Sequence, residues 1–136
     1  MTGLARVVAA ATLLCALLAA AVATAASPAE ERRIEFLIHA IEVLPGAHFI
    51  RNGVSYDAHA AADHLRLKRQ RAGNRVATAE DFIRYCAATS STSGVPYRIR
   101  FADGRETTSE TFLRAQLASF RDAAQEGPLP IHDGGS

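Results

Sequence analysis

The chain has 136 residues, room for one domain, and its 15 basic and 14 acidic side chains leave a net charge of +1. So balanced a charge creates no overall field that would draw nucleic acid or an anionic membrane. With two cysteines in the whole chain, a disulfide-stapled scaffold is excluded.

Residues 1–25 read as a secretory leader. One cation, Arg6, precedes an apolar run from Val7 to Val22, and the small residues "AVATAASP" follow. Ala23-Thr24-Ala25 is an A-x-A-like site, so cleavage is expected before Ala26. A membrane anchor is the alternative, but an alanine-rich run of this length falls short of the roughly 20 residues a span needs. A lipoprotein reading would use Cys15, yet Leu14 fills the place where a small residue is wanted. The expected destination is the periplasm or the outside of the cell. Loss of Arg6 leaves the mature chain neutral. It also leaves Cys86 without a second cysteine, so no intramolecular disulfide is expected and stability must come from packing.

In the domain expected over residues 26–125, "SPAEERRIEFLIHAIEVLPG" opens with Ser27 as helix cap, Pro28 at the first position and Glu30 at the third. Ile34, Leu37, Ile38, Ile41 and Leu44 form one helical stripe, and Pro45-Gly46 ends it. Phe36 and Val43 lie off that stripe, as a second apolar patch for another element or a partner. "HFIRNGVSY" predicts a hairpin, since both central residues of an Asn-Gly turn need positive φ. Asp57 caps a helix from about Ala58 to Ala72, with Gly73-Asn74 after it. Thr78 and Asp81 open a third helix, with Ala79, Phe82, Ile83 and Cys86 on one face. "TSSTSGVP" is a polar loop. "YRIRFADGRETTS" alternates Tyr97, Ile99 and Phe101 against Arg98 and Arg100 and turns at Asp103-Gly104, a second hairpin. Thr108 or Ser109 caps a last helix carrying Phe112, Leu113, Gln116, Leu117 and Phe120. The tail, 126–136, has no periodicity and is expected to be disordered.

The order is helix, hairpin, helix, helix, hairpin, helix. Each hairpin is followed by a capped helix, a weak hint of an internal repeat. Without βαβ spacing, the fold class is α+β, with a small antiparallel sheet packed against helices.

Polar residues on the second helix fall into two sets when it is turned about 100° per residue. His59, Asp63, Arg66 and Gln70 share the polar face, so the His59/Asp63 pair reads as solvated surface rather than a metal or acid–base pair. His64 and Lys68 lie one turn apart between two apolar groups, Ala58/Ala61/Leu65/Ala72 and Ala60/Leu67. There they interrupt the face expected to pack. A cation so placed needs a carboxylate, carbonyls or an anionic ligand, unless it snorkels to the edge. The basic run Arg66, Lys68, Arg69, Arg71, Arg75 is spread around the helix and suits its C-terminal dipole. Cys86, beside Phe82, reads as a buried, inert thiol. The hydroxyls of Thr89 to Ser93 read as turn chemistry, because no nucleophile elbow accompanies them.

Together, "FIRNG", "HLRLK", "TAEDFI" and "SSTSGVPY" resemble the YfeK-like family, small exported bacterial proteins that share a domain of unknown function. The resemblance runs from about Ile34 to Leu117. It implies an exported single domain and no activity. By motif it carries over Arg51, Asn52, Gly53, His64, Leu65, Lys68, Phe82, Ser90, Ser91, Gly94, Pro96 and Tyr97, but neither His59 nor Cys86.

The expected function is that of a non-enzymatic envelope protein binding an envelope partner or a small anionic ligand, with no cofactor and no metal. The expected surface joins Arg51 and Asn52 to His64, Lys68, Ser90, Ser91 and Ser93. The competing class is a small hydrolase or transferase with His64 as base and a serine of the Ser90–Ser93 loop as nucleophile. That class requires His64 within hydrogen-bond reach of such a serine.

Overall fold

The computed structural model describes residues 25–125. The expected leader, 1–25, lies outside the described residues except for Ala25, and the tail, 126–136, lies wholly outside them. The described chain is α+β, in the expected order of elements.

Helix α1 (Pro28–Glu42) begins where the Ser27 hydroxyl accepts the Glu30 N–H at 3.3 Å. Its stripe of Ile34, Leu37, Ile38 and Ile41 is fully buried. Burial of such side chains stabilises by about 1.5–3 kcal/mol each, so α1 is the spine of the core. Phe36, off the stripe, packs on Phe120 with ring centroids 4.9 Å apart. Val43 stays 54% exposed.

Strands β1 (His48–Arg51) and β2 (Val54–Tyr56) form the first hairpin. Asn52 (φ 49°) and Gly53 (φ 77°) take the two left-handed positions that join them. Helix α2 (Ala58–Ala72) starts at Asp57, whose carboxylate accepts the Ala60 N–H at 2.8 Å. A short 3₁₀ turn, Gly73–Arg75, follows.

Helix α3 (Ala79–Phe82) carries a full capping box between Thr78 and Asp81. It then widens into a π-helical turn, Ile83–Ala87, that buries Ile83, Cys86 and Ala87. The second hairpin, β3 (Arg98–Arg100) and β4 (Glu106–Thr108), closes through a longer loop than the first. Phe101 N–H donates to Arg105 C=O and Gly104 N–H to Phe101 C=O, with Gly104 at φ 87°. Helix α4 (Ser109–Gln125) is capped by Thr108, whose hydroxyl accepts the Thr111 N–H at 3.1 Å.

The sheet order is β2-β1-β3-β4 and every pair is antiparallel. The two hairpins meet at the centre, where Phe49 pairs with Ile99. Both residues join the core formed by α1, α2, α3, the π turn and α4. Ion pairs tie the helices. Arg69 of α2 binds Glu31 and Glu35 of α1, and Arg66 binds Glu42. Glu30 of α1 accepts the first N–H of α3, from Ala79, at 2.7 Å.

Candidate functional site

Side chains alternate along a strand, so Phe49 and Arg51 leave β1 on the same side. Tyr56 stands opposite Phe49 across the hairpin. Helix α2 then passes over that side, presenting Ala60, Ala61, His64 and Leu65. Alanines at the first two of these positions cannot fill the space. A cavity of about 170 Å³ remains, walled by Ile41, Phe49, Tyr56 and Leu65, with Arg51 and His64 in its lining. Among the described residues no acidic side chain lines it.

Arg51 is half-buried, its Nε is shielded from solvent, and that nitrogen has no hydrogen-bond acceptor. Among the described residues no carboxylate pairs with its guanidinium. An unsatisfied buried donor costs about 1–3 kcal/mol, so the shielded Nε is an unfavourable feature.

Tyr97, only 8% exposed, links the other polar groups. Lys68 Nζ donates to the Tyr97 hydroxyl at 3.1 Å and to Thr89 C=O at 2.8 Å. The ammonium also lies 4.8 Å from the centre of the Tyr97 ring. The Tyr97 hydroxyl lies 3.3 Å from His64 Nε2. Because Lys68 can only donate, the phenolic hydrogen is free to turn toward His64. Nε2 then accepts, and the ring proton sits on Nδ1. Burial, and then the charges of Arg51, Lys68 and Arg71, hold the His64 pKa below the ordinary imidazole value, so the neutral form dominates near pH 7.

The turn and the hydroxyl loop also meet. Asn52 Nδ2 donates to Ser90 Oγ at 3.2 Å, and Ser93 Oγ donates to Asn52 Oδ1 at 2.6 Å. Ser90 is 1% exposed and shares a hydrogen with Thr92 Oγ1. Within the loop, Gly94 N–H donates to Ser90 C=O and Ser90 N–H to Val95 C=O.

The seven residues singled out from the sequence therefore come together but divide the work. Arg51 and His64 line the cavity. Lys68 braces the loop against Tyr97. Asn52, Ser90 and Ser93 hold one another. Ser91 is exposed on the loop. His64 makes its hydrogen bond to Tyr97, and no hydrogen bond joins it to a serine. Sequence reasoning left Tyr97 out of the site. Its signal was there: it alternates with Ile99 on the inner face and closes the "SSTSGVPY" motif.

One expectation about α2 needs correction. Ala60 and Leu67 do not form a second packing group; both are exposed, and Ala62 and Leu65 are the buried residues. Helix α2 is rotated so that Arg69 lies over α1. This moves His64 and Lys68 from the middle of the packing face to its margin.

The more conspicuous polar residues are surface. His59 is 75% exposed beside Asp63 and Glu42, and Arg66 bridges both carboxylates. The Arg66 hydrogen bond keeps the Glu42 carboxyl below its ordinary pKa. Among the described residues no group of three or more His, Cys, Asp or Glu is placed to hold a metal ion. Cys86 is 1% exposed, and burial pushes its thiol pKa up. Among the described residues no helix is long and apolar enough to cross a membrane.

Comparison with known proteins agrees with the resemblance carried by the sequence motifs. The profile of a family of unknown function, DUF5329, matches residues 28–121. Over 68 residues the chain is 41% identical to "Uncharacterized protein YfeK" of Salmonella typhimurium, a match covering 50% of this chain. That match spans 57% of the relative's own length. No solved structure matches the chain.

Proposed function

The chain belongs to the DUF5329 family of unknown function, and we propose that it is an exported, non-enzymatic binding protein for a small anionic ligand. The leader pattern of residues 1–25 supports export to the periplasm, with cleavage near Ala25. The binding half rests on one observation: Arg51, a guanidinium without an anion, lines an apolar cavity. The shielded Nε is left without an acceptor at a cost to stability, and an anion entering the cavity would give the guanidinium a partner. The non-enzymatic reading is supported by the hydrogen bonds of the competing pair. His64 spends its bond on Tyr97, and Ser90 spends its own on Asn52 and Thr92.

The test uses protein recovered from the envelope fraction, with its N-terminus read by intact mass. Residues 1–25 still attached there would overturn export. Thermal shifts are then recorded with a panel of small organic and inorganic anions, for the natural chain and for Arg51→Met. The expected outcome is that Arg51→Met melts no lower than the natural chain, because no native partner is lost. The stabilisation by anions disappears in the variant. A variant that keeps the full anion response would show that Arg51 is not the binding group.

A further inference from the structure

The cavity's size, walls and charge constrain the ligand more narrowly than "anion". We propose that it accepts a carboxylic acid with a compact apolar body, the carboxylate paired with Arg51 and the body seated between α2 and the first hairpin. This rests on the anion-binding reading above and specifies its chemical class.

The walls set the body. Ile41, Phe49, Tyr56, Ala61 and Leu65 are apolar or aromatic, and the volume is about 170 Å³. A dry apolar cavity of about 150 Å³ takes up benzene, so a single ring or a chain of about six carbons is the right scale. The charge sets the head group. One guanidinium, in its planar fork, matches both oxygens of one carboxylate. Among the described residues, the other donors are His64 Nδ1, which makes no hydrogen bond, and the Ser109 hydroxyl of the lining. Lys68 is already held by Thr89 and Tyr97. One cation beside two neutral donors suits a monoanion. A phosphate or sulfate carries more charge than the single cation of this lining can answer, and burying the excess is costly. The absence of any acidic lining residue among those described removes a competitor for Arg51.

The same geometry couples binding to pH. The charged and titratable groups around His64 are Arg51 from β1, Lys68 and Arg71 from α2, and the phenol of Tyr97, the residue before β3. Burial first, and then these positive charges, keep the imidazole neutral. A bound carboxylate reverses that local field and raises the His64 pKa, so binding takes up protons. Affinity therefore rises as pH falls from 7.5 to 5.5, a range in which a simple carboxylic acid remains ionised.

The experiment is an amide-detected NMR titration of the mature chain with four probes: benzoate, benzyl alcohol, inorganic phosphate and sulfate. Benzoate is expected to saturate shifts at Ile50–Tyr56 and Ala60–Leu65. It should bind at least tenfold tighter than benzyl alcohol, which has the body without the charge. Affinity should rise at least threefold from pH 7.5 to 5.5, and His64→Gln should abolish that rise. Arg51→Met should weaken benzoate at least tenfold, and Ala60→Leu, which narrows the cavity beneath an exposed position, should weaken it with Arg51 intact. Phosphate or sulfate binding as tightly as benzoate, and lost in Arg51→Met, would overturn the carboxylate class and leave the anion-binding reading standing. Benzyl alcohol binding as well as benzoate, or saturation by none of the four, would overturn both.

Discussion

Asn52 shows how much one residue can carry. Its backbone takes the left-handed conformation the hairpin needs, at φ 49°, and its side chain spans Ser90 and Ser93. Glycine would keep the turn and lose the clamp; alanine would lose both. A left-handed conformation costs a non-glycine residue about 1–2 kcal/mol, and a lost hydrogen bond about 1 kcal/mol. Asn52→Gly is thus expected to destabilise by about 1 kcal/mol and Asn52→Ala by about 2–3 kcal/mol, measured by urea denaturation. Equal losses would mean that the clamp, not the turn, is all Asn52 supplies. The Asn-Gly dipeptide announced the turn. Nothing local announced the clamp, because its partners lie about forty residues on and meet Asn52 only after β1 pairs with β3.

Helices and hairpins were legible wherever the information is local. Ser27, Asp57, Thr78 and Thr108 all act as caps, and Asn52-Gly53 makes a two-residue turn, because each needs only its own neighbours. Three features were not legible. The π turn at Ile83–Ala87 serves to bury Cys86 and Ala87 against helices that are distant in sequence. The Asp103-Gly104 turn takes a longer loop than its dipeptide implied. The rotation of α2 turns Ala62 and Leu65 into the core and sets Arg69 against α1, contacts with elements distant in sequence. At this scale Gly46, just after α1, is the sensitive point. It sits at φ 62°, and a methyl group there would come within 2.9 Å of Ala102 Cβ. Gly53, at φ 77°, faces open space. Both alanine substitutions carry the left-handed cost of about 1–2 kcal/mol. Gly46→Ala is expected to exceed Gly53→Ala by about 1 kcal/mol in the same denaturation series, the price of moving two chain segments apart. Matching values would show that the contact relaxes freely.

At the scale of the whole molecule, the chain reads as two helix–hairpin–helix halves joined edge to edge at β1 and β3. The halves are not independent. Phe49 pairs with Ile99, Glu30 caps α3, and Asn52 and Lys68 reach across to the loop of Ser90–Ser93. A single core includes residues from Ile34 to Leu117. Unfolding of residues 26–125 is therefore expected to be one transition, coincident by far- and near-ultraviolet circular dichroism. The fragment 26–75, carrying only the first half, should stay unfolded, with amide resonances collapsed into the random-coil range. A dispersed spectrum from that fragment would contradict the shared core.

By itself, the sequence determined the α+β class, the element order, the caps, the first turn and the family motifs. It also determined that His64 and Lys68 differ from the solvated His59 and Asp63. Those are consequences of periodicity, backbone conformation and local hydrogen bonding, which act over a few residues. Tertiary structure alone decided which polar residues remain unsatisfied. His64 and Lys68 found Tyr97, and the serines found Asn52, but Arg51 was carried over an apolar cavity where no acceptor follows it. A guanidinium in a sequence looks the same whether or not it has a partner. Only the packing of α2 over the first hairpin distinguishes the two, because burial is what turns a missing hydrogen bond into a free-energy cost.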